Sequence, residues 1–228
     1  MPGDGRFEWE GILPITKLPS VFNPPSGYFA TANENNVPTG YLHRQAVGWN
    51  WADRFRVERV NDVLSSRPQH TLEDMMALQT DYHSLPAQIL ASMLSDVSSS
   101  DPLAEAFRQR LTSWNFKIDK ASVEATVYVA WERKMASKLR QLLVPKEGQL
   151  YIRALSLRNV ILWLKPTSRV FKTPAERAKF LTSCLEESVA DLTTAFGSDT
   201  TSWQYGQPKN HHVLIKHPLS AAVSEDLR

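Results

Sequence analysis

Three side-chain amides, Asn33, Asn35 and Asn36, follow directly on Tyr28-Phe29-Ala30-Thr31, whose aromatic and β-branched content reads as a short strand. Asn-Pro, Pro-Pro and Ser-Gly steps over 23–27 punctuate the chain ahead of it, and Val37-Pro38 follows. An asparagine at a strand end can aim its amide N–H into a cleft. Acyl-transfer chemistry asks for such a group, because its tetrahedral intermediate carries a negative oxygen that a preorganised donor stabilises. The same residues also make good chain reversals, since Asn bonds its own backbone and tolerates turn conformations; composition alone favours the turn.

The other reactive side chains read as structure. His211, His212 and His217 belong to a tail in which residues 210–216 read as a last strand. Adjacent residues on a strand face opposite sides, so this is a surface strand rather than a tetrahedral metal site. Cys184 is the only cysteine, which excludes an internal disulfide and leaves the redox compartment undecided. It sits near the apolar stripe of an amphipathic helix, the setting of a buried structural thiol. Trp114 and Trp131 recur at helical spacing and are core candidates.

The elements that must position these groups change character along the chain. Residues 1–48 are turn-rich, with six of the nine glycines and Pro2, Pro14, Pro19, Pro24, Pro25 and Pro38. After Trp49 the texture is helical. Thr71 with Asp74 can cap a helix from Leu72, and Ser84 with Pro86 can open one that runs to about Leu94. Asp101-Pro102 starts a third, with Leu103, Phe107, Leu111 and Trp114 on one face. A longer helix carries Val123, Val127, Trp131, Met135, Leu139 and Leu142. Thr173-Pro174-Ala175-Glu176 opens another, with Ala178, Leu181, Leu185, Val189, Leu192 and Phe196 as its stripe and Gly197 as its stop. The expectation is an α+β, mostly helical chain of five or six helices, divided into a strand-and-turn part (1–48), a helical domain (49–198) and a terminal strand (199–228).

Composition bounds the partners. With 228 residues, 42% hydrophobic and 22% charged, the chain is ordinarily globular, holding one large or two small cores. A net charge of +2 with interleaved signs leaves no basic stripe, so nucleic acid is not an expected partner. The longest apolar run, Val160-Ile161-Leu162-Trp163-Leu164, is far short of the roughly 20 residues that span a bilayer. Met1-Pro2-Gly3-Asp4-Gly5 has neither the basic nor the apolar region of a signal peptide.

Read in order, Gly3-x-Gly5, Trp9-x-Gly11-x-x-Pro14, Asn23-Pro24-x-x-Gly27-Tyr28 and Thr31-Ala32-Asn33 resemble the β-chain of the penicillin acylase (penicillin amidase) family of N-terminal-nucleophile hydrolases. Trp51-Ala52-Asp53-Arg54-Phe55-Arg56-Val57-Glu58-Arg59-Val60 is similar to that family's Trp…Arg…Arg segment. Gln79-x-Asp81-x-x-Ser84-x-x-Ala87 and Trp203-x-Tyr205-Gly206…His217-Pro218-Leu219 continue the likeness, which is dense from Gly3 to Ala87 and thin through the middle.

The resemblance implies a fragment of the αββα hydrolase fold with its helical β-chain domain packed over the cleft. It places Asn33 at the family's oxyanion-hole asparagine, with Asn35 and Asn36 as rivals in register. It places Arg56 at the arginine that borders the cleft and supports processing and substrate orientation, with Arg54 as the rival and the spacing to Arg67-Pro68 favouring Arg56. The reading from the residues alone is an exposed helix arginine near Glu58 and Arg59. The implied reaction is hydrolysis of a linear amide, from an acyl side chain to an amine such as a β-lactam nucleus or homoserine lactone, through an acyl-enzyme. Its nucleophile, an N-terminal serine, is expected upstream of Gly3, and no nucleophile is expected in this chain. The chain is thus expected to be an internal piece, inactive alone, whose partners are the amide substrate, the α-chain and the remaining β-chain segments. No cofactor is expected. The family's structural calcium is in doubt, because residues 41–48 contain no acid. Relatives point to a periplasmic or secreted setting. The alternative from another class is a non-catalytic helical interaction domain that keeps the fold without the chemistry.

Overall fold

Six of the seven α-helices among the described residues open on a side chain that accepts a hydrogen bond from their own first turn, satisfying backbone donors that have no partner within the helix. These are helices of a computed structural model that describes residues 3–6, 8–209 and 222. In chain order they are α1 Phe55–Ser65, α2 Leu72–Gln79, α3 Leu85–Ser92, α4 Pro102–Thr112, α5 Val123–Leu143, α6 Leu157–Leu164 and α7 Pro174–Phe196. The expected caps Thr71, Ser84, Asp101 and Thr173 all act. Thr71 and Asp74 form a reciprocal box, with Oγ1 accepting from the Asp74 N–H at 3.2 Å and Oδ2 accepting from the Thr71 N–H at 2.8 Å. Gly197 ends α7 at φ +89°, a left-handed conformation that favours glycine. No helix among the described residues is long and apolar enough to cross a membrane.

The described residues are mostly helical, as expected. Their one β feature outside the helices is an isolated antiparallel bridge between His83 and Lys117. Residues 28–31, read as a strand from their composition, form no ladder. A strand exists only where a neighbour pairs its N–H and C=O groups, and none of the described residues does so here. The strand expected at 213–215, with His211, His212 and His217, lies outside the described residues.

Two compact units divide the chain, Met1–Asp81 and Tyr82–Arg228. The first holds the turn-rich segment, α1 and α2. Arg59 of α1 reaches Asp81 through Nε and Nη2, both at 2.7 Å from Oδ2.

In the second unit α5 is the centre, packing on α7 along most of its length and also on α4 and α6. Its predicted stripe, Val123, Val127, Trp131, Met135 and Leu139, is buried, whereas Leu142 in the last turn is exposed. Trp131 is fully buried and donates Nε1 to the Leu181 carbonyl of α7 at 3.0 Å. Lys134 pairs with Asp191 and Lys138 with Glu187 along the rim of the same contact.

The chain after α7 returns to the start of α5. Trp203 is buried, stacked on Phe107 at 5.4 Å, and its carbonyl accepts from Thr126 Oγ1 at 2.6 Å. The Tyr205 N–H reaches the Ser122 carbonyl and the Gly206 N–H the Lys120 carbonyl. The Trp-x-Tyr-Gly motif is therefore a docking strap in this unit. A Cβ on Gly206 would lie 2.5 Å from Lys120 Cβ and 3.1 Å from its Cα. Gly206→Ala should cost about 1–3 kcal/mol by overpacking, read as a lower urea midpoint.

Glu105 locks α4 to its surroundings. It takes a two-pronged contact from Arg108 at 2.8 and 2.7 Å and the Ser99 N–H at 3.1 Å, while Arg108 also donates to the Leu94 carbonyl after α3. The Arg108 hydrogen bonds, then the Ser99 amide, bring the Glu105 carboxyl from its ordinary 4.5 down to about 2. A lowered acid pKa stabilises the fold above the unfolded value and loses that contribution as pH falls through the folded one. Between pH 4.5 and 2, Glu105→Gln should therefore flatten the fall in stability relative to the parent chain, measured by urea unfolding across that range.

Candidate active site

Asn33 lies in the coil of the first unit with φ +66°, a left-handed conformation that asparagine accepts more readily than most side chains. Two backbone contacts hold the turn. The Asn33 carbonyl accepts the Ala52 N–H at 2.7 Å, tying it to the segment that leads into α1. The Ala32 N–H is bound at 2.7 Å by the carboxylate of Glu34, a residue only 5% exposed. Glu34 is a supporting group that the sequence reading passed over; its only signal there was an acid set among amides.

Arg56, in the first turn of α1, completes the arrangement. Its Nη2 carries two hydrogens and uses both: one to the Ala32 carbonyl at 2.7 Å, one to Asn33 Oδ1 at 2.9 Å. A guanidinium has donors and no acceptor, so the amide oxygen of Asn33 must face Arg56 and its Nδ2 must face away. Among the described residues Nδ2 meets no acceptor, while Asn33 and Arg56 are both open to solvent. The next residue, Val57, is 3% exposed and anchors this turn of the helix.

The rivals in register are engaged differently. Asn35 Oδ1 accepts from the Val37 N–H at 3.3 Å, a local turn bond, and from Arg44 at 3.5 Å; Arg44 itself lies over the Trp49 ring. Asn36 turns its own Nδ2 toward Thr31 Oγ1 at 3.4 Å. Arg54 pairs with Glu58 at 3.4 Å, and Arg59 with Asp81. The structure thus brings Asn33 and Arg56 together and leaves Asn35, Asn36 and Arg54 in other contacts.

Trp51, beside the Ala52 anchor, has a buried indole N–H with no acceptor among the described residues. Cys184 is fully buried in α7, and burial pushes its thiol up to about 12, which leaves almost no thiolate at neutral pH. Among the described residues no three His, Cys, Asp or Glu side chains gather as a metal site.

An amide whose oxygen is held leaves a donor that can stabilise a developing oxyanion. The penicillin amidase family profile matches residues 1–227, and the chain belongs to that family. It is similar to the penicillin acylase 2 proenzyme of Pseudomonas sp. strain SE83, with 30% identity over 59% of this chain and 17% of the relative. The acyl-homoserine lactone acylase QuiP of Pseudomonas putida is 25% identical over 98% of this chain and 31% of its own length. Penicillin G acylase of Escherichia coli is 30% identical over 50% of this chain and 14% of its length. The chain thus spans less than a third of each. In fold it is similar to a thermostable penicillin G acylase from Alcaligenes faecalis, with a TM-score of 0.62 at 17% identity, covering 88% of this chain and 42% of that one.

If Arg56 holds the turn, its loss should be felt at the turn's other anchor. Hydrogen bonds from charged donors contribute about 1.5–3 kcal/mol, so Arg56→Ala should speed hydrogen exchange of the Ala52 N–H by about tenfold or more, measured by NMR, with α1 amides beyond Val60 little changed.

Proposed function

We propose that residues 1–228 are the oxyanion-hole part of an acylase that hydrolyses a linear amide, the observation carrying this being the Asn33 amide, whose oxygen is fixed by Arg56 and whose N–H donors are left open. The acid side of the amide is an acyl chain and the amine side a β-lactam nucleus or homoserine lactone, in keeping with the names of the relatives. The nucleophile, an N-terminal serine with its own α-amine as base, comes from polypeptide outside these residues. Its oxygen adds to the amide carbon, and the carbonyl electron pair moves onto oxygen. Asn33 Nδ2 donates to that oxygen, which carries more charge in the transition state than in the substrate. The C–N bond then breaks, the amine leaves with the proton taken from the serine, and water releases the acid from the acyl-enzyme.

In this reading Arg56 is a positioning residue. It presents no proton to the reaction and instead removes the amide's freedom to flip, so that a donor always faces the oxyanion. Membership of the family supports an amidohydrolase of this type.

The test uses an active acylase that contains residues 1–228. Asn33→Ala should lower kcat by about 10²–10³-fold, the usual loss for one oxyanion donor, and lower kcat/KM equally, since the contact forms only in the transition state. Arg56→Ala should lower kcat by a smaller factor, and Asn35→Ala should leave it within about twofold of the parent. A large loss at Asn35 with none at Asn33 would sink the assignment.

A further inference from the structure

The loop between α6 and α7 folds around a cavity of about 540 Å³ in the second unit. Its wall carries four cations, Lys165, Arg169, Lys172 and Arg177, against a single carboxylate, Asp96. The loop is built rather than loose. The Ser168 N–H bonds the Lys165 carbonyl at 2.9 Å, Ser168 Oγ accepts from the Val170 N–H at 3.2 Å, and the Phe171 ring packs on Phe180 at 5.0 Å. None of the four cations makes an ion pair at salt-bridge distance among the described residues.

Arg177 is the informative one. It is half-buried, spends Nε on the Leu164 carbonyl at the end of α6, and feels Asp96 only through space. Burial pulls its pKa down, which marks a guanidinium short of a counter-charge. The remaining donors of this planar fork have the geometry that carboxylate and phosphate oxygens match. Gathering like charges around a concave, partly apolar wall raises the local potential and concentrates anions there.

We propose that this cavity binds a polyvalent oxyanion of the phosphate class, held by Arg169, Lys172 and Arg177. The site belongs to the second unit and does not depend on the catalytic reading. The experiment is calorimetric titration of the 228-residue chain with pyrophosphate, ionic strength held constant with chloride. The double variant Arg169→Ala/Lys172→Ala changes exposed side chains only, and Lys146→Ala/Arg153→Ala removes the same charge elsewhere. Saturable binding with one site per chain, weakened about tenfold or more in the first pair and within about twofold of the parent in the second, is the expected result. Heats no larger than those of chloride, or equal weakening in both pairs, would overturn it.

Discussion

An arginine can donate hydrogen bonds but cannot accept one, and the first unit turns that asymmetry into direction. An asparagine amide standing alone has two faces of nearly equal shape and opposite chemistry. Once one nitrogen of Arg56 has taken Asn33 Oδ1 and the Ala32 carbonyl, only the donor face is left to the outside. The left-handed turn at Asn33, the buried Glu34 carboxylate on the Ala32 amide and the Ala52 bond all serve to keep that amide within reach of the guanidinium. Helix α1 supplies the rigid base, with Val57 buried on one side and Arg56 presented on the other.

The second unit rests on a different balance. Its helices are joined through apolar stripes on α5 and α7, and buried polar groups find partners, as with the Trp131 indole on the Leu181 carbonyl and Thr126 on the Trp203 carbonyl. The return of the chain over Phe107 closes the end of this core.

What could be read from the residues was what depends on neighbours in sequence. Thr71, Ser84, Asp101 and Thr173 announce helix starts because a cap acts within three residues, and Gly197 announces a stop for the same reason. The buried faces of α4, α5 and α7 follow from spacing, since a helix repeats its faces regularly. Residues 28–31 have strand composition without forming a strand, because such composition describes a surface that fits a sheet, and only a partner makes the sheet. Helix α6 also opens on a cap, at Ser156, but its unbroken apolar run over 160–164 shows no face by spacing. The pairing of Arg56 with Asn33 joins residues 23 apart, and no local rule carries that information. The roles of Glu34 and of the Trp-x-Tyr-Gly strap were hidden for the same reason.

The amide of Asn33 also sets a narrow path for inherited change. Aspartate is a single-base step from asparagine, tolerates the same left-handed backbone, and would meet Arg56 as a full ionic partner. Such a protein would keep its turn and its helix, and gain a charge pair at the surface. It would also turn an acceptor toward any developing oxyanion. The contacts that hold this turn would thus accept the change, while the outward-facing donor would be gone.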